Sequence, residues 1–367
     1  MKYISICLLV TFSFLASGQN KVAYAKLVKE SDGLYYYQGS PYTGETLLLW
    51  PSNNKYMQQV TWSKGQIDGL FKSWYEDGKP DQEIGYKKGV RHGIFNTYYF
   101  TGNSEVKAHY KMGVLDGPYT SYHRPVKLKT HYSRGGPAKM ATFRNGIEQG
   151  AFILYHSNGE KEQEGKYVDG KPDGVITSFD RDGNKRKEIN YKDGLRHGKS
   201  TTFHISGIVA ETSDYVNGFA EGEKLVYTLE GKLMQKETYK AGKLDGESIT
   251  FTMSEQPIEI KNYKNGLLEG PYKLFKQNGL ETYGDFKEGL KTGPWVEHKF
   301  SEGGADEGSY IAGKKNGKWT LGATNLFGKC KGEFIDDLKH GTWDYWKHDG
   351  GKWKTEQWDN GVLIKGN

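Results

Sequence analysis

Three histidines, His92, His197 and His340, stand in one local setting, Arg-His-Gly or Lys-His-Gly. Asp68, Asp116, Asp173 and Asp245 fill the equivalent place elsewhere in the chain. Imidazole and carboxylate are metal ligands and general acids or bases, but a metal needs several of them converging on one point. Here they come one per segment, spread along the chain, which is the pattern of a polar turn residue. No nucleophile elbow, phosphate-binding loop or Cys/His cluster accompanies them. The many Gly-x-x-x-Gly matches belong to a glycine periodicity and not to a nucleotide or transmembrane motif. The expectation is a non-enzymatic chain with no catalytic residue, no metal and no cofactor.

A second set has the chemistry of recognition. Tyr272, Trp295, Trp319 and Trp343 recur at near-constant spacing, with Trp346 beside the last. Flat aromatics in a row about two strands apart (~10 Å) can stack on sugar rings or accept the apolar side chains of a partner. The same residues can instead pack where a sheet curls or ends. Tyr272, Trp295, Trp319, Trp343 and Trp346 are therefore the candidate binding residues.

Elements that would position such a row are legible in a repeat. The segment Tyr191 to Gly207 defines its frame: aromatic at position 1, Gly at 4 and 8, aromatic at 13, Gly at 17. Repeats begin at Trp62, Tyr86, Tyr110, Phe143, Tyr167, Tyr191, Tyr215, Tyr239, Tyr263, Phe286, Tyr310 and Phe334. The step is 24 residues except between Tyr263 and Phe286, which is 23, and between Tyr110 and Phe143, which is 33. The longer step carries an insertion near residues 123–137. Trp358 opens a partial repeat at residues 358–367, and residues 19–61 hold an N-terminal cap and a degenerate repeat.

Runs such as Lys199–Phe203 and Ala151–Tyr155 are β-branched, aromatic and bounded by Gly, so they read as strands. Asn-Gly and Asp-Gly pairs between runs suit hairpin turns, because both residues tolerate positive φ. A longer loop is expected over Lys192–Gly198. The predicted fold is all-β: an elongated single-layer antiparallel β-meander, or solenoid, of about twelve 24-residue hairpin repeats. Position 13, from Trp74 to Phe275, is expected to form the aromatic spine, with position 10, the Trp295 column, on the opposite face.

Composition agrees with a thin sheet. Apolar residues make up 35% of the 367 residues and aromatics 14%, with 49 glycines and 26 tyrosines, and mean hydropathy is −0.77. This is too polar for thick aliphatic cores and too aromatic for disorder. The net charge of +6 is dispersed along the chain with no basic block, which argues against a nucleic-acid partner.

Residues 1–18 have the pattern of a secretory signal peptide. Lys2 precedes an apolar run, Ile4 to Leu15, and Ala16-Ser17-Gly18 gives a cleavage point before Gln19. The run is too short to span a bilayer, which takes ~20 residues. The expected location is exported: periplasm, cell surface or extracellular. Cys330 is then the one thiol of the mature chain, so no internal disulfide forms, and it reads as a small strand residue.

The Tyr-x-x-Gly-x-x-His/Asp-Gly frame, as in Tyr191–Gly198 and Tyr239–Gly246, resembles MORN repeats. It is most similar to the bacterial MORN-variant repeats often described as antitoxin-like. The resemblance implies an elongated sheet of hairpins and a scaffold that binds protein or lipid. It departs from the frame at Asp337, where position 4 is otherwise Gly, and at His298 and Gly322, where position 13 is otherwise aromatic. The functional expectation is an exported scaffold that binds a protein partner in the bacterial cell envelope. The alternatives are a glycan- or cell-wall-binding module built on the Trp column and a toxin-neutralising protein. A membrane surface is a further partner suggested by the resemblance alone, and edge strands at the ends offer end-to-end self-association.

Overall fold

A computed structural model describes residues 21–131, 133, 135–276, 279–298, 304–324 and 326–366. The export segment expected at residues 1–18, its cleavage point at Gly18-Gln19, and Gln277 and Asn278 of one hairpin turn lie outside the described residues.

Each repeat forms two antiparallel strands, as in Val90–Tyr98 followed by Ser104–Lys111. One connection is a two-residue turn at positions 3 and 4, where both residues have positive φ: 51° and 77° at Lys88-Gly89, 50° and 89° at Asn217-Gly218. This is the type I′ geometry whose twist matches that of paired strands. Asp336-Asp337 keeps it at 49° and 71° without glycine, since Asp tolerates the left-handed region.

The strand restarts at position 5, as in Leu195–Phe203, so the longer loop expected over Lys192–Gly198 is corrected to this tight turn. In Leu195–Phe203 the position-8 glycine absorbs a register shift, the one between Ile189 and Tyr191, and the strand continues; in the repeats opened by Phe143, Tyr167, Tyr215 and Tyr263 the strand is interrupted just before it. Strands reach eight or nine residues, longer than the runs of β-branched residues alone suggested.

Among the described residues, hairpin follows hairpin in each body and neighbouring strands of the meander pair antiparallel. One parallel pairing sets Lys21–Ala23 beside Gly44–Leu49. By contacts the chain divides into two bodies, residues 1–161 with 167–170, and residues 162–166 with 171–367.

In the N-terminal body, residues 21–42 cap the first repeat. Strands Val28–Lys29, Tyr35–Tyr37 and Ser40–Pro41 make a separate small sheet. Buried Tyr42, Val60 and Trp62 pack there with Tyr24, Leu27 and Tyr35. The Trp62 Nε1–H donates to Thr46 Oγ1 at 2.8 Å. From this cap a row of cross-strand partners runs Thr46, Val60, Phe71, Ile84, Phe95, Ala108, Tyr119, Ala141. The insertion is a self-bonded loop in which Ser133 N–H donates to the Val126 carbonyl and Val126 N–H to Ser133 Oγ, both at 2.9 Å.

In the C-terminal body the corresponding row begins Ile176, Ile189, Ser200, Ser213. It continues through Lys224, Glu237, Ser248 and Lys261. It ends in pairs Tyr272–Gly284, Trp295–Gly308, Trp319–Gly332 and Trp343–Glu356.

The spine is this position-10 row, which corrects the expectation that position 13 supplies it. Position-13 rings such as Trp74, Tyr98 and Phe203 are half-buried, as Phe71 and Phe95 of position 10 are, but full burial is reached in the position-10 row, at Phe152, Trp295, Trp319 and Trp343. The position-13 rings sit at strand ends beside the four-residue turns, and successive ones are two strands apart (~10 Å), beyond ring-contact range. Position-10 rings lie mid-strand and meet the position-1 ring that follows: Phe71–Tyr86 at 6.4 Å, Phe95–Tyr110 at 5.2 Å, Phe152–Tyr167 at 4.8 Å.

Both margins of the meander are tied repeat to repeat. At the tight-turn margin, the position-4 N–H donates to a carbonyl of the preceding repeat, as in Gly218 to Arg196 and Gly242 to Ala220, both at 2.8 Å. The position-3 N–H donates to the position-7 side chain: Asn145 to Asp116, and Asn265 to Asp245, both at 3.0 Å. At the opposite margin, the position-14 side chain donates to a carbonyl of the next repeat: Tyr75 to Tyr98 at 2.6 Å, Tyr99 to Tyr122 at 2.9 Å, His204 to Tyr227 at 3.0 Å.

Candidate functional site

The aromatic column was the first candidate, and its geometry follows from alternating residue sizes. Each indole lies over a glycine of the preceding strand. A Cβ added to Gly284, Gly308 or Gly332 would stand 2.2, 2.1 or 2.2 Å from the indole of Trp295, Trp319 or Trp343. Position-1 rings close the sides edge-on, with Phe286–Trp295 at 5.1 Å, Tyr310–Trp319 at 5.2 Å and Phe334–Trp343 at 4.9 Å. Each indole N–H reaches a strand carbonyl, at 3.1 Å from Asp285, 3.2 Å from Ser309 and 3.2 Å from Glu333.

A position-6 lysine covers the remaining face. The ammonium of Lys291 is 4.5 Å from the Trp295 ring, that of Lys315 4.3 Å from Trp319, and that of Lys339 4.6 Å from Trp343. Each such contact contributes roughly 0.5–2 kcal/mol, more as it is desolvated. Lys291 also pairs with Glu297, whose other oxygen accepts the Tyr310 hydroxyl at 3.0 Å. Burial, with that carboxylate beside it, pushes the Tyr310 phenol well above its ordinary range.

Trp295, Trp319 and Trp343 are 2%, 2% and 0% exposed. They offer no open ring face, which corrects their assignment as a sugar- or partner-stacking surface. They form a core with Tyr310, Cys330, Phe334 and Tyr345. Tyr272 stacks on Trp295 at 5.7 Å and donates to Glu259 at 2.9 Å. Trp346 is not gathered with the other four; it sits at a strand end with the Lys329 ammonium 5.5 Å from its ring. The glycines two residues before Phe286, Tyr310 and Phe334 were the overlooked signal. A glycine inside a strand marks the close approach of another group.

At position 7, His92, His197, Asp116 and Asp245 accept from turn N–H groups, while His340 faces the Asp359 carboxylate at 3.5 Å. His92 Nδ1 accepts from Met112 N–H at 3.4 Å and His197 Nδ1 from Asn217 N–H at 3.5 Å, as Asp116 and Asp245 do in their repeats. The described residues contain no group of three His, Cys, Asp or Glu side chains placed to share an ion. Cys330 is buried within the Trp core.

The exposed chemistry lies on the tight-turn margin. Positions 2 and 5 are cross-strand partners flanking each turn, and in most repeats they pair a cation with an aliphatic residue. In the N-terminal body these are Lys87–Val90, Lys111–Val114 and Arg144–Ile147. In the C-terminal body they include Lys192–Leu195, Lys264–Leu267 and Lys287–Leu290, with Val216–Phe219 between. The apolar members are half or more open to water: Leu195 51%, Phe219 61%, Leu267 55%, Leu290 50%. The sequence signal was an apolar residue directly after the turn glycine, recurring with the repeat.

The lysines differ by location. Several on the sheet faces are paired: Lys224 with Glu211 at 3.3 Å, Lys236 with Glu223 at 2.5 Å, Lys261 with Glu259 at 2.7 Å. Among the described residues, the ion pairs include none of Lys192, Lys240, Lys264 and Lys287, all exposed at the turn margin.

Comparison with known proteins bears on the repeat. Residues 67–88, 91–112, 172–193 and 220–241 match the model described as MORN repeat variant. No curated protein matches the chain. Among solved structures, it is similar to part of a Photorhabdus luminescens Tc holotoxin pore, at 10% identity and a TM-score of 0.17, covering 84% of this chain and 18% of that one. It is also similar to part of the TcdB2-TccC3-Cdc42 structure, at 9% identity and a TM-score of 0.16, covering 88% and 20%. The chain thus spans about a fifth of those chains, and scores this low carry no argument about fold or activity. Four segments of this chain thus match the MORN repeat variant, and they share their frame of turns, glycines and aromatics with the repeats around them.

Proposed function

We propose that this chain is an exported, non-enzymatic scaffold that binds a protein partner in the cell envelope through its tight-turn margin. The observation that carries the reading is the column of exposed aliphatic residues beside lysines without internal ion pairs. On this margin Leu195, Leu267 and Leu290 are half or more exposed directly beside Lys192, Lys264 and Lys287, so apolar and cationic side chains are offered together to a partner. Export is supported by the apolar run from Ile4 to Leu15 and its small-residue cleavage point.

The test tethers the mature chain, residues 19–367, beside a Leu267→Glu/Leu290→Glu variant with the same melting midpoint, and exposes both to envelope extract. The expected result is a protein retained by the native chain and lost from the variant. Equal retention of the same proteins by both overturns the reading. So does retention of peptidoglycan or polysaccharide alone, which favours a glycan-binding module.

A further inference from the structure

Position 6 of a repeat sets what stands against the position-1 ring of the next one. Lys291 lies 5.1 Å from the Tyr310 ring, Lys315 5.5 Å from Phe334 and Lys339 4.8 Å from Trp358. Arg91 and Arg196 do the same with guanidinium groups, 5.7 Å from Tyr110 and 5.3 Å from Tyr215. In these repeats the fold brings its own cation to the negative face of the ring.

The repeat opened by Tyr215 has Ala220 at position 6, the smallest side chain at that position in the array. A methyl group leaves the space beside Tyr239 open. A cavity of about 170 Å³ lies there, between Tyr215 and Tyr239 and lined by Ser213, Ala220 and Lys224. In the repeat opened by Tyr310 the same place is filled from within. Trp319 meets Tyr310 and Phe334 edge-on, and Lys315 covers Trp319 and Phe334. The cavity is smaller than the ~300 Å³ at which drug-sized pockets begin, so it suits a small head group and not a polymer.

Charge narrows the class of that group. On the face of Tyr215 and Tyr239, Lys224 is matched by Glu211 at 3.3 Å. Glu237 accepts from Gln235 at 2.8 Å and from Tyr239 at 3.0 Å, and Glu221 accepts the Ala241 N–H at 2.8 Å. Neither Glu237 nor Glu221 belongs to an ion pair among the described residues. Arg196 is the opposing cation; it approaches Tyr215 from the strand before, whereas Ala220 is on the strand after. Asp214 and Glu223 also border the cavity. They alternate to the other face, where Lys236 holds Glu223 at 2.5 Å. The adjoining turn, Val216–Phe219, is uncharged, and Lys240 and Lys243 flank the next turn with Asp245. Two phenol rings and two carboxylates without ion pairs thus surround a place that other repeats give to an ammonium.

We infer that the cavity between Tyr215 and Tyr239 binds an alkylammonium group, which takes the place that Lys291, Lys315 and Lys339 take in their own repeats. The site goes beyond the scaffold reading above and does not involve Leu267 or Leu290. The probe is n-butylammonium, the free counterpart of a lysine side chain, with 1-butanol as its uncharged control. Saturation-transfer NMR on the mature full chain is expected to show binding of butylammonium and not of butanol, weakening as salt rises. Ala220→Lys supplies the cation from inside and should weaken butylammonium binding about tenfold or more at an unlowered melting midpoint. Glu221→Gln keeps an acceptor for the Ala241 N–H, removes the charge, and should weaken binding with the fold intact. Leu267→Glu/Leu290→Glu should leave it unchanged.

Tighter binding of choline than of butylammonium supports the site and assigns it to a quaternary amine. Tighter binding of a lysine-containing peptide supports it and assigns it to a partner's side chain. Equal signals from butylammonium and butanol overturn the inference, as does the absence of any transfer to butylammonium. Native affinity in both Ala220→Lys and Glu221→Gln overturns it too. If amine binding fails while an extract protein is still lost on Leu267→Glu/Leu290→Glu substitution, the ammonium site falls and the scaffold reading stands.

Discussion

Two stretches of the C-terminal body fill the same sheet row in opposite ways. From Ser200 to Lys261 the row is serine, lysine and glutamate; from Tyr272 to Trp343 it alternates large rings with glycine. The turns, their carbonyl ties and the position-1 aromatics continue through both. The hairpin frame is therefore set by turn chemistry and backbone pairing, and the row decides how firmly each stretch is held. Ser200, Ser213 and Ser248 are buried without bringing much apolar area. Their charged neighbours are balanced locally, by Lys224–Glu211 at 3.3 Å and by Glu237 accepting from Tyr239 at 3.0 Å. The tryptophan stretch buries whole indoles and sets a cation over each. The polar stretch is expected to open first, as a less stable segment of the same sheet.

The largest effect that would break the contrast is Trp319→Ala. Loss of a fully buried indole costs about 3–5 kcal/mol. Amides near Trp319 should then exchange as fast as those near Ser213, measured by native-state hydrogen exchange. Unchanged protection around Trp319 would show that the ring is not what holds that stretch. Next comes Gly308→Ala, which places a Cβ against the Trp319 indole and costs about 1–3 kcal/mol by overpacking. Its signature is a shifted Trp emission together with a lower denaturation midpoint. A neutral outcome would mean that the close ring–backbone approach is dispensable.

The smallest effect sharpens the polar side. Burial, with the Glu237 hydrogen bond adding to it, raises the Tyr239 phenol from 10.0 to about 12. Its folded pKa lies above the unfolded one, so its stabilisation is complete below pH 10 and is lost as pH rises towards about 12. Phenolate absorbance of the native chain should include a late-titrating component that is smaller by one phenol in Tyr239→Phe, with the alkaline loss of stability reduced in that variant. An identical titration curve would remove Tyr239 from the set of constrained groups.

Much of this architecture was legible before any coordinates. Asn-Gly and Asp-Gly pairs marked the turns, and the Tyr191–Gly207 frame placed every repeat, because turn conformation depends on the local residues themselves. Which aromatic column is buried was not legible. Position 13 is more regularly aromatic than position 10, and only covering groups set the tryptophans of position 10 apart: position-1 rings on the neighbouring strands and Lys291, Lys315 and Lys339 of the same repeats. The Trp295 column looked like a ligand platform because its residue types suit one. Gly284, Gly308 and Gly332, read as partners of those rings, would have pointed to packing. The turn-margin pairs Lys192–Leu195 and Lys287–Leu290 passed unnoticed because neither residue type is unusual; pairing across the hairpin brings them together.

The hydrogen bonds of the tight-turn column also have a direction. In each step the later repeat gives the N–H, as Gly218 does to Arg196 and Gly242 to Ala220, and the earlier repeat gives the carbonyl. The position-7 acceptors, Asp245 towards Asn265 among them, point the same way. A repeat that has already folded thus presents a set of acceptors to the one that follows. For a polypeptide leaving a ribosome or a translocation channel amino end first, the sheet can grow by templated addition, each new hairpin docking onto a finished edge while the rest of the chain is still threading through.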